Sequence, residues 1–135
     1  RDMCRLLGAE HRVSLIDGRS EIAAVQQGVP RYDVGLHTDV LDGCPKGQGL
    51  LMLLRGMNPQ VIAMDEVTQP EDIRAIGEIA GCGVAVLATA HGRSLAEMLR
   101  RPLYRELFEM GVFENLLTVS LSNGKRGYML ERLKT

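Results

Sequence analysis

The sequence lacks an excess of charge of either sign, and it lacks long apolar runs. It has 16 Lys and Arg residues against 17 Asp and Glu residues, which gives a formal net charge of -1. Such a balance argues against a broad electrostatic footprint for nucleic acid or anionic lipid. No apolar stretch approaches the roughly 20 residues of a membrane-spanning helix, and no signal-peptide pattern opens the chain. These absences predict a soluble polypeptide without a nucleic-acid partner.

Cysteine is also scarce. The three cysteines, Cys4, Cys44 and Cys82, lie far apart and form no CxxC pair. Their odd number and wide spacing indicate neither a disulfide framework nor a zinc site, so we interpret them as reduced thiols of a cytosolic protein. Low-complexity linkers are missing as well. A chain of 135 residues with 45% hydrophobic content can bury one core, so we predict one domain, or a large piece of one, over residues 1–135.

Apolar strands and helices alternate along the chain. Helical apolar spacing recurs in four segments, at residues 1–7, 46–57, 70–81 and 94–110. Apolar runs typical of buried strands occur at residues 12–16, 61–66 and 84–88. Asn123-Gly124 predicts a closing hairpin, and the turn-rich residues 26–47 predict a long ordered loop. This order predicts an α/β fold with a mainly parallel sheet, helices on its faces and a small antiparallel edge.

The run Val61–Glu66 is the most informative feature for function. It is an apolar strand that ends in two adjacent acids, Asp65 and Glu66. P-loop ATPases build their second catalytic motif in this way, although a core strand can also end in acids that only cap the next helix. A second apolar strand runs into Thr89 and His91. Because parallel strands deliver their last residues to one edge of the sheet, where nucleotide and metal bind in open α/β folds, the two strand ends indicate a common site.

Several short motifs together resemble the ATPase domain of the stage III sporulation protein AA family, which is related to the type II and type IV secretion ATPases. The resemblance covers nearly the whole chain. The residues that carry it are Asp17-Gly18-Arg19-Ser20-Glu21-Ile22, Asp33-Val34-Gly35, Thr38-Asp39-Val40-Leu41-Asp42, Cys44-Pro45-Lys46, Leu53-Leu54-Arg55, Asp65-Glu66 and Thr89-Ala90-His91-Gly92.

The resemblance implies a RecA-like P-loop NTPase core. The phosphate-binding loop of that family, a Gly-rich turn that ends in Lys and Ser or Thr, is absent from this sequence. By the family pattern the loop and its strand would lie just before Arg1. The helical spacing that starts at Arg1 has no capping residue before it. We therefore interpret residues 1–135 as a partial ATPase domain that lacks the N-terminal strand and the phosphate loop, and we expect this fragment alone to be inactive.

The resemblance also implies roles for the acids. Asp65 would hold Mg²⁺ through its water shell, and Glu66 would position the water that attacks the γ-phosphate of ATP. The alternative for both is helix capping. Glu21 would be a further metal or water contact, with a structural salt bridge as the alternative.

His91 would sense the γ-phosphate or relay its loss to a neighbouring subunit, and Thr89 would be the polar sensor beside it. A solvated loop histidine and an ordinary strand-ending residue are the alternatives. Arg31, Arg55 and Arg93 are candidate arginine fingers across a subunit boundary, or else surface residues. Four polar residues lie in the long loop: Asp33, Thr38, Asp39 and Asp42. Each could contact nucleotide, contact a neighbouring subunit or make local turn hydrogen bonds, and the turn role is favoured for Asp42.

The function that the resemblance implies is that of an ATP-hydrolysing motor, with ATP and Mg²⁺ as cofactors. It implies a homo-oligomeric ring, such as a hexamer, at the cytoplasmic face of the inner membrane, with membrane-embedded sporulation channel proteins as partners. A nucleic-acid-stimulated ATPase on a similar core is one alternative, and it predicts a basic pore loop that the sequence does not reveal. A non-catalytic assembly or scaffold protein is the other.

Overall fold

The computed structural model describes residues 1–133, which divide into two compact units, Arg1–His91 and the part that begins at Gly92. The elements of the first unit are α1 (Asp2–Leu7), β1 (Val13–Asp17), β2 (Thr38–Asp42), α2 (Lys46–Met57), β3 (Val61–Glu66), α3 (Pro70–Gly81) and β4 (Ala85–Thr89). Those of the second unit are α4 (Leu95–Met98), α5 (Pro102–Glu109), β5 (Asn115–Ser122) and β6 (Lys125–Arg132). The single ATPase domain over residues 1–135 stays a prediction, and Lys134 and Thr135 lie outside the described residues.

The first unit is built on a four-stranded sheet in the order β2-β1-β3-β4. Every neighbouring pair is parallel. All five residues of β1 are buried, as expected for an inner strand that is covered on both faces. The parallel α/β sheet that the alternation of strands and helices predicts is therefore confirmed.

Strand β2 corrects the expected long loop over residues 26–47. Thr38–Asp42 pairs with β1 along its whole length, from Val13 opposite Thr38 to Asp17 opposite Asp42. The strand escapes detection because it is short and lies at the edge of the sheet, where charged residues such as Asp39 are tolerated and the apolar signal is weak.

Both faces of the sheet are packed, and the strand alternation divides the core between them. One cluster joins Cys4 of α1 to Leu15 of β1 and Ala63 of β3. Helices α2 and α3 contact each other, and α2 also contacts β1. Gly49 makes that approach possible, because a Cβ there would collide with the Ile16 side chain. Close packing of α2 on β1 fixes where α2 begins, at the end of the sheet that carries the strand-ending acids.

Helix α3 begins as its sequence predicts. Pro70 is its first residue, and the Asp72 carboxylate accepts hydrogen bonds from the backbone N–H groups of Thr68 (2.9 Å) and Gln69 (3.0 Å). These bonds satisfy the N–H groups of the two residues that precede the helix, as in a capping box. Because Thr68 follows β3 closely, the cap also fixes the path of the chain beyond Glu66.

The second unit contains two short helices and a hairpin. Ser94 Oγ accepts a hydrogen bond from the Glu97 N–H (3.2 Å) at the start of α4, and Pro102 begins α5, so the predicted interruption at Pro102 is confirmed. Asn123 and Gly124 both have positive φ, at 49° and 73°, as a two-residue hairpin turn requires. Strands β5 and β6 pair with each other as a separate antiparallel sheet, whereas the sequence predicts an antiparallel edge to the main one. Within residues 1–133, no helix has the length and apolar character needed to cross a membrane.

Candidate functional site

Four parallel strands bring polar residues to one edge of the sheet. Asp17 ends β1, Asp42 ends β2, Glu66 ends β3 and Thr89 ends β4. Because the strands are parallel, their last residues lie at the same edge, which is where open α/β sheets bind ligands. This edge is the candidate functional site.

The two acids of β3 lie at an irregularity of the strand. Met64 lies opposite Ala88 and Glu66 lies opposite Thr89, so Asp65 is an extra residue between two regular pairs. Such a bulge changes the direction of the side chains near it and is common beside active sites. Met64 is buried, whereas Asp65 and Glu66 are half-buried. Between the buried residues Met64 and Val67, these two acids are therefore the part of the chain that the core does not fully enclose.

Asp65 forms an ion pair with a residue from another element. Nζ of Lys46, the first residue of α2, lies 3.3 Å from Asp65 Oδ1. That oxygen is buried and has no partner with hydrogen-bond geometry among the described residues, so the contact with Lys46 is a charge pair rather than a directed bond. A Cβ at Gly18 would lie 3.4 Å from Asp65 Oδ2, so the chain beyond β1 passes close to the other oxygen. The carboxylate thus lies between α2 and the exit of β1.

Glu66 lies between two basic side chains. Its Oε2 is 3.8 Å from a terminal nitrogen of Arg19 and 3.7 Å from His91 Nε2. The Glu66 side chain is 23% exposed, whereas the His91 side chain is 87% exposed. The exits of β1, β3 and β4 therefore meet at the Glu66 carboxylate. This arrangement brings together two of the predicted site residues, Glu66 and His91.

Asp17 differs from the β3 acids because the loop that follows it uses both of its oxygens. Oδ1 accepts a hydrogen bond from the Glu21 N–H (3.0 Å), and Oδ2 accepts bonds from Ile22 (3.0 Å) and Ala23 (2.9 Å). The Asp17 side chain is fully buried. Its role is to hold the loop that carries Arg19 and Glu21.

Glu21 and Thr89 take peripheral positions at the site. The Glu21 carboxylate is exposed and lies 3.8 Å from Arg19 Nε, so Arg19 connects Glu21 to Glu66. This contact is the salt bridge named as the alternative role for Glu21. Thr89 is exposed and its carbonyl accepts a hydrogen bond from the Val67 N–H (3.1 Å), which joins the exits of β3 and β4. The metal and sensor roles of these residues stay predictions.

The three candidate arginine fingers are exposed, and none forms an ion pair with another residue in the range 1–133. Arg31 Nε donates a hydrogen bond to Gln26 Oε1 (3.1 Å), Arg55 lies in the last turn of α2, and Arg93 lies in the second unit. Their exposure is compatible with a contact to another subunit. The structure does not test that contact, and the arginine-finger role stays a prediction.

Two of the four polar residues from residues 26–47 make local bonds. Asp33 Oδ1 accepts from the Gly35 N–H (3.0 Å), and Thr38 Oγ1 donates to the Val34 carbonyl (2.8 Å). Asp39 is exposed in β2, and Asp42 is half-buried at its end. The structure therefore supports local turn bonding for Asp33 and Thr38.

The sequence interpretation assigned no role to Arg19 or Lys46, although both lie in the motifs that carry the family resemblance. Both are basic residues whose partners come from β3, far away in sequence. Their position in the motifs Asp17–Ile22 and Cys44–Lys46 was the only signal that could have pointed to them.

The chemistry of Asp65 fits a magnesium ion. Its buried Oδ1 receives no hydrogen bond from residues 1–133 and keeps lone pairs free. In the same part of the chain, no three His, Cys, Asp or Glu side chains gather as a metal cluster. Mg²⁺ is commonly held by one or two carboxylates together with water and substrate phosphates, rather than by a cage of side chains. A single contact through Asp65 is therefore consistent with this metal.

Sequence comparisons connect the chain to sporulation proteins. A family model described as "Sporulation stage III, protein AA" matches residues 6–131. The stage III sporulation protein AA of Bacillus subtilis (strain 168) is 37% identical over 130 residues, which are 92% of this chain and 42% of that protein. The uncharacterized protein ycf45 of Porphyra purpurea is 31% identical over 111 residues, which are 79% of this chain and 20% of that protein. The chain thus spans less than half of the length of either relative.

Two solved structures share its fold. The X-ray structure of the Legionella pneumophila ATPase DotB aligns with a TM-score of 0.58 and 16% identity over 96% of this chain and 38% of that one. The crystal structure of the VirB11 ATPase from the Brucella suis type IV secretion system, in complex with sulphate, aligns with a TM-score of 0.62 and 16% identity over 92% of this chain and 42% of that one. At this identity the likeness concerns the fold, and the predicted RecA-like α/β core is confirmed.

Proposed function

Because the chain belongs to the family of stage III sporulation protein AA, we propose that it is the larger part of an ATP-hydrolysing motor domain that acts during sporulation. The observation that carries the proposal is the bulge at Asp65, which sets two consecutive acids at the carboxyl edge of the sheet. The ATPases DotB and VirB11, which have the same fold, support ATP as the substrate.

Asp65 and Glu66 have different surroundings, and these suit different tasks. The Asp65 carboxylate is paired with Lys46 and has a buried oxygen without a hydrogen bond, which suits a metal or its water shell. Bound Mg²⁺ would neutralise charge on the phosphate oxygens of ATP. The Glu66 carboxylate is more exposed than that of Asp65, and it is flanked by Arg19 and His91. We assign Glu66 the orientation of the attacking water, since positioning and electrostatics dominate phosphoryl transfer.

His91 and Arg19 would respond to the state of this carboxylate. A charge change at the phosphate alters the field at Glu66, and the two basic groups lie within 3.8 Å of it. We propose His91 as the residue that relays phosphate loss, with Thr89 as a polar sensor at the same strand end. Glu21 reaches Glu66 only through Arg19, and a role for it in catalysis would act by holding Arg19.

The assembly is part of the proposal. Secretion ATPases are the structural neighbours, and the relative from Bacillus subtilis is named for stage III of sporulation. We propose a homo-oligomeric ring at the cytoplasmic face of the inner membrane that works with membrane-embedded sporulation channel proteins. In such a ring Arg31, Arg55 or Arg93, all exposed, would act on the nucleotide of a neighbouring subunit.

The test is ATP hydrolysis by the full-length protein, because the chain spans 42% of its Bacillus subtilis relative. We expect Mg²⁺-dependent hydrolysis, and we expect Glu66→Gln to lower kcat by about 100-fold to 10,000-fold, the range for loss of a positioned acid–base group. Glu66→Gln should still bind ATP, which a fluorescent analogue can measure. Glu78→Gln, on the exposed face of α3, is the matched control and should keep full activity.

Two outcomes would contradict the proposal. A folded full-length protein that neither binds nor hydrolyses ATP would favour a scaffold role. Hydrolysis that nucleic acid stimulates strongly would favour the nucleic-acid-dependent class of ATPase.

A further inference from the structure

Lys46 lies at the centre of a largely buried charge cluster that includes Asp65, and the proposed reaction assigns Lys46 itself no role. Its side chain is 14% exposed, and its Nζ is 3.3 Å from Asp65 Oδ1 and 3.3 Å from Asp72 Oδ2. The Asp65 and Asp72 side chains are 14% and 4% exposed. A buried ammonium between two carboxylates is costly to assemble and requires good partners. Its presence beside the β3 acids therefore calls for a physical explanation.

The same ammonium also contacts the chain just beyond β3. It donates a hydrogen bond to the backbone carbonyl of Glu66 and lies 3.4 Å from Thr68 Oγ1. Lysine has three N–H groups and no acceptor, and two acceptors for them here are the Glu66 carbonyl and Thr68 Oγ1. One side chain from α2 thus touches three successive parts of another segment, namely Asp65, the Glu66 peptide and the start of α3.

Asp72 is the fixed end of this arrangement. Its Oδ2 accepts hydrogen bonds from the Thr68 and Gln69 N–H groups, so it is part of the cap of α3. Asp65 has no such anchor among the described residues, because its Oδ1 is held by the charge of Lys46 alone. Lys46 therefore connects a carboxylate without hydrogen bonds from the described residues to a capped helix.

We propose that Lys46 is a positioning residue, which holds the Asp65 carboxylate and the Glu66 peptide in the arrangement that the proposed ATPase site needs. The proposal rests on the proposed function for its consequence in catalysis, but its structural part stands on the contacts of Lys46 alone. Without the ammonium, Asp65 and Asp72 become two uncompensated charges in a half-buried place, and repulsion displaces the less anchored one.

The first test is amide hydrogen exchange without nucleotide. Lys46→Met keeps an unbranched side chain that is one heavy atom shorter, and it removes the charge. The Val67 N–H donates to the Thr89 carbonyl, and the Thr68 N–H donates to the Asp72 carboxylate. We expect hydrogen exchange at these two amides to become about tenfold faster or more. Leu15 and Ile62, in the middle of their strands, should keep their exchange rates. Lys46→Arg should restore part of the protection because it keeps the charge.

A matched control removes a lysine elsewhere. Lys125 is exposed at the hairpin turn, so Lys125→Met should leave exchange at Val67 and Thr68 unchanged. Uniformly faster exchange through the whole sheet in Lys46→Met would mean a general stability role and would overturn the proposal, as would unchanged exchange at the β3 exit. If Lys46→Met does not fold, Lys46→Gln gives the same comparison with a polar side chain.

The second test uses the full-length protein and follows the Mg²⁺ dependence of hydrolysis. We expect Lys46→Met to raise the Mg²⁺ concentration for half-maximal rate by about tenfold and to lower kcat, with a smaller effect on KM for ATP. An inactive wild-type protein would count against the proposed ATPase function, while the exchange result would still decide whether Lys46 orders the β3 exit. An active wild type with unchanged Mg²⁺ dependence in Lys46→Met would overturn the role of Lys46 in catalysis.

Discussion

The exits of β1 and β3 lie side by side and end in similar residues, yet they are built in opposite ways. Asp17 at the β1 exit is fully buried, and three backbone N–H groups donate to its two oxygens. Asp65 at the β3 exit is partly exposed, and among residues 1–133 the buried one of its oxygens is held only by the charge of Lys46. The same chemical group therefore serves as a rigid support at one strand end and keeps an oxygen without a hydrogen bond at its neighbour.

The difference teaches how a site residue can be recognised among strand-ending acids. A carboxylate whose oxygens already accept hydrogen bonds from its own loop has a structural role, because any new ligand would have to displace those hydrogen bonds. A carboxylate that is balanced by one cation and receives no hydrogen bond keeps lone pairs for a ligand. Asp17 organises the loop that carries Arg19, whereas Asp65 keeps a buried oxygen without a hydrogen bond from the described residues.

The largest effect on stability is expected from Asp17→Ala. The change removes three charge-assisted hydrogen bonds and leaves the buried Ala23 N–H without an acceptor. We expect the free energy of unfolding to fall by about 3 to 5 kcal/mol. Urea unfolding monitored by circular dichroism measures it. Asp39→Ala, an exposed acid on β2, should change the value by about 0.5 kcal/mol or less, and equal effects of the two changes would contradict the support role of Asp17.

Asp65→Asn should show the reverse pattern. Lys46 keeps its contact with Asp72 in this variant, so we expect a loss of only about 1 kcal/mol in the free energy of unfolding. Hydrolysis by the full-length protein should fall by about 100-fold to 1,000-fold, because the proposed site would lose the charge that is proposed to face its metal. Measuring both quantities on one preparation separates the two effects. A large stability loss with little change in rate would place Asp65 beside Asp17 as a support.

The sequence predicts most of the fold because each local signal agrees with the packing. The apolar run at Val61–Glu66 and the capped start of α3 at Pro70 both occur where expected, since a buried strand and a helix cap depend on near neighbours in the chain. Strand β2 was missed because an edge strand depends on its partner β1 rather than on its own composition.

Of the side chains that meet at the candidate site, the sequence singles out Asp65, Glu66 and His91 but not Arg19 or Lys46. Asp65 and Glu66 can be recognised from the sequence because they are polar residues at the end of an apolar run. Arg19 and Lys46 have no such signal, because an arginine in a turn and a lysine at a helix start are common surface residues, and their partners on β3 lie in a different element of the chain. The bulge at Asp65 also depends on the register with β4, which residues 61–66 alone do not encode.

The smallest expected effect concerns Cys4, which belongs to the same buried cluster as Val13 and Leu15 of β1. Burial, and to a smaller degree the charge of Asp17, raises the pKa of the Cys4 thiol above its ordinary value of 9.0. The folded state therefore keeps a proton that the unfolded state releases. The protonated Cys4 thiol therefore contributes fully to stability below pH 9.0, and this contribution is lost as the pH rises through the raised pKa.

Urea unfolding from about pH 8 to about pH 10 should thus show a decline in stability that is smaller in Cys4→Ala, once each curve is referred to its own value at about pH 8. Thiol labelling of the native protein gives an independent check. Cys82 is exposed and should react first, and Cys4 should react only as the protein opens. Labelling of Cys4 as fast as Cys82 would mean that the β1 side of the sheet is open to solvent. In that case Asp17 would also be open to solvent. The difference between a buried, hydrogen-bonded Asp17 and a partly exposed Asp65 would then not hold.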